Sequence, residues 1–144
     1  MIAMKPGTAK PLFIILLLAA TFLSCKKLVE DTKKDILLGI ITDGQWHIET
    51  FMEGTDSITS RFEGYNFKFN EDGSVYGIKD SVSIVGFWEG DINNYSIISA
   101  FPETAEPLQK LNGTWKIRDS SLDYVAAEMT TLQGMMILHL RKNG

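Results

Sequence analysis

The sequence predicts an all-β domain: a small antiparallel up-and-down barrel of about eight strands, preceded by a short helix. Three observations carry that expectation. Polarity alternates with a period of two from Trp46 onward, turn residues recur at short intervals, and nearly every connection is too tight for a crossover. With 144 residues the chain has room for one domain.

The elements follow in order. Asp35–Ile41 reads as a short helix, because Asp35 can cap it and Ile36, Leu37, Ile40 and Ile41 fall at helical spacing. Asp43-Gly44 ends it, and Gln45–Phe51 is the first strand. In Gly64–Asn70 the aromatics Tyr65, Phe67 and Phe69 alternate with Asn66, Lys68 and Asn70, which gives one apolar and one wet face. Asn70-Glu71-Asp72-Gly73 is a hairpin turn in which Gly73 supplies a positive φ. Val75–Lys79 returns, and Asp80-Ser81 turns the chain into Val82–Gly90. That segment carries Val82, Ile84 and Trp88 on one face and Val85 and Phe87 on the other, so it is expected to be buried on both. Tyr95–Phe101 is the next strand. Pro102 and Pro107 then limit regular structure, leaving room for one helical turn over Pro107–Leu111. Gly113–Arg118, Leu122–Met129 and Met135–Arg141 complete the set. An eight-stranded barrel has an interior wide enough for its own side chains or one small ligand.

The N-terminus reads as an address. Met1–Pro11 carries Lys5 and Lys10 and no acid, Leu12–Leu23 has Thr21 as its one polar residue, and Ser24-Cys25 follows. A basic start, a short apolar run and a small residue at the cut form the secretory pattern. A run of twelve residues, eleven of them apolar, falls short of the ~20 that a helix needs to span a bilayer. Residues 1–24 are thus read as a signal peptide, 25–34 as a tether and 35–144 as the domain. Cys25 is the chain's only cysteine, so the domain has no internal disulfide. Phe22-Leu23-Ser24-Cys25 resembles a lipobox, in which the cysteine is acylated (palmitate or a similar chain) before cleavage between Ser24 and Cys25. Two or three acyl chains give stable anchoring, whereas one alone is marginal.

Removing residues 1–24 takes two lysines and no acid from 14 Lys+Arg and 18 Asp+Glu, leaving a formal net charge of −6. Nucleic-acid binding rests on phosphate neutralisation by Lys and Arg, so that charge argues against it.

All three tryptophans close the same tripeptide: Gly44-Gln45-Trp46, Gly86-Phe87-Trp88 and Gly113-Thr114-Trp115. A helical turn followed by Gly-x-Trp at the first strand resembles the lipocalin signature. There the Trp closes the base of the barrel under an Arg; Arg141 takes that place in this reading, with Arg118 competing. The order of motifs also resembles the lipocalin-like lipoproteins of Bacteroidetes: lipobox, linker, helix, Gly-x-Trp, aromatic strand with Asn70-Glu71-Asp72-Gly73, Gly86-Phe87-Trp88, Pro107-Leu108 and Trp115. The resemblance covers roughly residues 43–141. It implies a lipoprotein of the outer membrane, periplasm-facing or surface-exposed, from families largely of unknown function. Asp56-Ser57-Ile58 and Asp80-Ser81-Val82 resemble bacterial O-glycan sites, but three-residue patterns arise often by chance and two turns, each needing Asp and Ser, are the expected reading.

No catalytic, metal or cofactor motif stands out. His47 and His139 are far apart in sequence, and neither has a partner at metal-ligand spacing. A non-enzymatic monomer is expected, needing no cofactor, and two functions compete. One is a cup for a small apolar ligand, lined by Phe67, Phe69, Ile84, Trp88, Ile97, Trp115, Met135 and Ile137. The other is a filled barrel that acts on a protein or glycan partner.

Overall fold

The computed structural model describes residues 35–144; the expected signal peptide, lipidation site and tether lie outside the described residues. A helix over 35–42 (α1) is followed by nine strands. They are β1 (Trp46–Glu53), β2 (Asp56–Ser57), β3 (Asn66–Phe69), β4 (Ser74–Lys79), β5 (Val82–Asp91), β6 (Ser96–Ala100), β7 (Gly113–Ser121), β8 (Tyr124–Thr131) and β9 (Gly134–Lys142). Every pairing is antiparallel, and β9 pairs with β1, which closes an eight-stranded barrel in up-and-down order. The expected fold class is the observed one.

The ninth strand, β2, is an addition that polarity alternation could not reveal. It pairs with β1 over two positions, Met52 with Ser57 and Glu53 with Asp56. It occupies a gap, because β1 and β3 meet only at Trp46 and Phe67. The chain then turns through a 3-10 segment, Thr59–Phe62, that lays Phe62 against Phe51 with ring centroids 5.1 Å apart. A second 3-10 segment, Leu108–Leu111, stands where one helical turn is expected.

Both barrel ends are filled. Strands β1, β4, β6 and β8 run one way and the others run back, so α1 and the turns after β3, β5 and β7 share one end. Ile41 of α1 is buried there beside Trp46, whose side chain is wholly inaccessible. The two 3-10 segments cover the other end, where Phe62 and Leu108 are buried. Between the ends, the inward rows supply one continuous core that includes Phe67, Val75, Trp115 and Leu138.

The outer wall departs from expectation on β5. Its burial was expected on both faces, but only the inward row of Ile84, Gly86 and Trp88 is covered. Val82, Val85 and Phe87 are 62%, 48% and 72% exposed. A barrel closed on itself has one dry face, and the described residues include no second layer to cover β5.

Candidate functional site

The barrel interior is the first place to look for a site. It holds a void of about 40 Å³ whose wall includes Phe67, Phe69, Ile97, Trp115 and Leu138, with Ser99 its one polar side chain. One water occupies about 30 Å³ of liquid and needs several polar partners. Ser99 alone cannot supply them. Pockets for small molecules measure roughly 300–1,000 Å³, so this void is too small to be one.

Of the eight residues expected to line a cup, Phe67, Phe69, Ile97 and Trp115 reach the void. Ile84 and Trp88 face inward without lining it, and Trp88 packs edge-on against Phe69 at 5.5 Å. Met135 and Ile137 require correction. The buried row of β9 is Met136, Leu138 and Leu140, so both expected lining residues point outward. A one-residue shift in register exchanges the two faces of a strand. Here the run Met135-Met136-Ile137-Leu138 is apolar throughout, and alternation could not choose between its faces.

The Trp46 closure is also corrected. The cation over its ring is Lys142, with Nζ 5.2 Å from the centroid. Arg141 faces outward, lies 4.5 Å over Tyr124 and pairs with Glu49 at 3.2 Å. Neighbours on a strand face opposite ways, so only one could reach Trp46. Arg118, the competing candidate, pairs with Glu128 instead. The indole N–H of Trp46 donates to the Ile41 carbonyl at 3.0 Å, which fastens the end of α1 to the barrel.

His47 and His139, remote in sequence, stand on neighbouring strands. His47 Nδ1 lies 2.6 Å from Asn143 Oδ1, and the His139 ring meets Tyr124 edge-on at 5.6 Å. Among the described residues no group of three or more His, Cys, Asp or Glu side chains could hold a metal ion. Two carboxylates have clear electrostatic settings, and both serve turns. The Ser74 hydroxyl (2.6 Å) and backbone N–H (2.9 Å) hold Asp72 below the usual carboxylate range. The Asn94 side-chain amide, 2.6 Å away, does the same for Asp91. Of the two Asp-Ser-apolar triplets, Asp80-Ser81 lies in the β4–β5 turn, whereas Asp56-Ser57 forms β2. All four of these residues are exposed.

Two further surface features stand out among the described residues, and neither is evident from the sequence. One is an open groove of about 520 Å³ at the rim, between the β8–β9 hairpin, the end of β1 and the second 3-10 segment. Met129, Met135 and Met136 line it together with Gln109 and Asp56, and the Lys110–Glu53 ion pair (3.2 Å) lies within it. Gln109 Oε1 is buried there without a hydrogen-bond partner. The other feature is the apolar outer wall of β4–β6. The sequence signal for that wall was present in Val85 and Phe87, but it pointed equally to burial.

No family model matches this chain, and no curated protein matches it. Among solved structures it is similar to a DUF4847 family protein from Bacteroides vulgatus ATCC 8482, with a TM-score of 0.54 and 16% identity. The alignment covers 74% of this chain and 97% of that one. At that identity the likeness concerns the fold.

Proposed function

We propose that the chain is a lipid-anchored lipoprotein of the bacterial cell envelope, held at the outer membrane through Cys25. In this reading it is a monomer with a filled barrel, and it acts without catalysis on a protein or glycan partner met at its outer surface. The observation that carries the filled-barrel reading is the interior void of about 40 Å³, far below the size of a small-molecule pocket. A cup for an apolar ligand would need a cavity several-fold larger, and Trp115, Phe67 and Leu138 occupy that space. The anchor reading rests on the apolar run Leu12–Leu23 ending at Ser24-Cys25.

The test is metabolic labelling of the full chain with an alkyne fatty acid in a lipoprotein-processing host. Label and membrane fractionation that both disappear in Cys25→Ala are the expected result. An unlabelled wild-type chain would overturn the anchor. Native mass spectrometry of the purified protein addresses the interior. A co-purifying small molecule displaced by Leu138→Trp would restore the cup.

A further inference from the structure

The outer wall of β4–β6 is an exposed apolar surface that the filled barrel leaves unexplained. Tyr76 stands directly opposite Val85, and Phe87 stands opposite Ser74 and Ala100, with Ile98 on the diagonal. Diagonal neighbours on a sheet face are ~7–8 Å apart, within reach of aromatic side chains, so these groups form one patch. Phe87 is 72% exposed, Val85 48%, Ile98 42% and Tyr76 37%. Single exposed apolar residues are ordinary, but a contiguous patch marks an interaction surface.

Charge sharpens the contrast. The mature chain carries a formal net charge of −6. Yet on the outward rows of β3 to β6, no charged side chain lies between Lys68 on one side and Glu89 on the other. Few charges therefore leave water with this wall, the nearest being Glu89, directly opposite Ile98 at its edge.

The entry of the chain into the barrel supplies the occupant. Lys68, outward on β3 and directly opposite Tyr76, donates to the carbonyls of Thr42 (2.6 Å) and Gly44 (3.2 Å). The chain therefore joins the barrel beside the patch, one strand from Tyr76. Nine residues lie between Cys25 and Asp35, so ten residue steps join them. Fully extended at ~3.3–3.6 Å each, they reach at most ~35 Å, little more than the width of a domain of this size. Tethering at that range gives the patch an effective concentration near the surface of order millimolar.

We propose that the wall formed by Tyr76, Val85, Phe87 and Ile98 docks the barrel sideways on the lipid surface in which Cys25 is anchored. This rests on the anchor reading above. Docking would turn β9 and the rim groove away from the membrane, because β5 and β9 stand four strands apart around a ring of eight.

The test uses the lipidated full chain in phosphatidylethanolamine–phosphatidylglycerol vesicles. Because the Cys25 thiol is consumed by its lipid, Val85→Cys introduces a single free thiol for an environment-sensitive fluorophore. Met135→Cys, on the opposite wall, is the control. Doxyl-labelled lipid should quench the probe at position 85 several-fold more than at 135, and Phe87→Asp should abolish the difference without releasing the protein from vesicles. Equal quenching at both positions in floating protein would overturn the docking and leave the anchor intact. Protein that does not float would overturn both. A signal that grows with protein density but is insensitive to doxyl lipid would assign the patch to a second copy and also overturn the proposal.

Discussion

The packed barrel end can be tested through one pair of residues, Gly77 and Leu108. A Cβ placed on Gly77 would lie 2.8 Å from Leu108 Cδ1, 3.2 Å from its Cδ2 and 3.5 Å from Phe67 Cε1. Carbon atoms prefer a separation of about 3.5–4.0 Å, so Leu108 would have to retreat by roughly 0.7 Å. Leu108 is wholly buried and has little room to do so. Gly77→Ala should therefore cost about 1–3 kcal/mol through overpacking. Leu108→Ala should cost about 2–5 kcal/mol, from lost burial and from the cavity left at the barrel end.

The double variant separates this reasoning from a general dislike of mutation. The new methyl at 77 projects into the volume that Leu108 vacates, so the strain vanishes and part of the cavity is filled. The combined cost should fall below the sum of the single costs by about 1–2 kcal/mol, within the usual range for residues in contact. Urea unfolding of the three variants and the wild type, followed by tryptophan fluorescence, measures it. With a slope of ~1–3 kcal/mol per molar urea, a 1 kcal/mol coupling moves the midpoint by ~0.3–1 M. Additivity within ~0.5 kcal/mol would show that Leu108 does not fill the space over Gly77, and the description of that barrel end would be wrong. Gly90→Ala is the control. Its Cβ meets Trp88 Cζ3 at an ordinary 3.7 Å, and its effect should stay near the ±0.5 kcal/mol of surface changes.

Three further outcomes are expected. Trp46→Phe removes the indole donor to the Ile41 carbonyl and leaves that buried acceptor unpaired, a loss of about 1–3 kcal/mol. Hydrogen exchange should report faster opening of α1 than of β7. Arg141→Ala should cost no more than about 1 kcal/mol, as expected of a partly exposed ion pair, whereas Lys142→Ala should also alter Trp46 fluorescence. Asp72 is depressed in the folded state, so its stabilisation is present above the unfolded-state pKa and is lost as pH falls through the lower folded value. Asp72→Ala should therefore be less stable than wild type at neutral pH, and the two should converge in strong acid. A gap between their acid-unfolding curves that stays constant with pH would refute the Ser74 hydrogen bonds as its origin.

Period-two alternation made most of the barrel legible because one face of each strand is dry. Phe67 and Phe69 were readable for that reason, as was the Gly73 turn, whose φ is +88°. Reading failed where alternation is absent. In β9 and β5, apolar residues occupy both rows, and the chain does not state which row faces in. Contact across the barrel, not local sequence, selects the rows: Met136 takes the inward side opposite Met129, while Phe87 is left outside. The short β2 was invisible for a different reason. Two paired positions carry no period, and a hydroxyl fixes the segment by accepting the Phe51 N–H at Thr59 Oγ1 (2.9 Å). The groove was equally hidden, since its walls come from segments far apart in sequence that only closure brings together.

The three Gly-x-Trp tripeptides turn out to share a task that their spacing did not disclose. Each indole N–H donates to a backbone carbonyl just outside the barrel strands: Trp46 to Ile41 (3.0 Å), Trp88 to Asn70 (2.9 Å) and Trp115 to Leu111 (2.8 Å). One fastens the helix, one the β3–β4 turn and one the 3-10 segment at the opposite end. A buried carbonyl left unpaired is costly, and an indole is large enough to fill the barrel while its N–H reaches the rim. The same side chains thus occupy the interior and hold its covers in place. A barrel that admits a ligand must let at least one cover move. Here moving the helix, the β3–β4 turn or the second 3-10 segment would break a tryptophan hydrogen bond, and moving the first 3-10 segment would unstack Phe62 from Phe51, so function is placed on the outer surface.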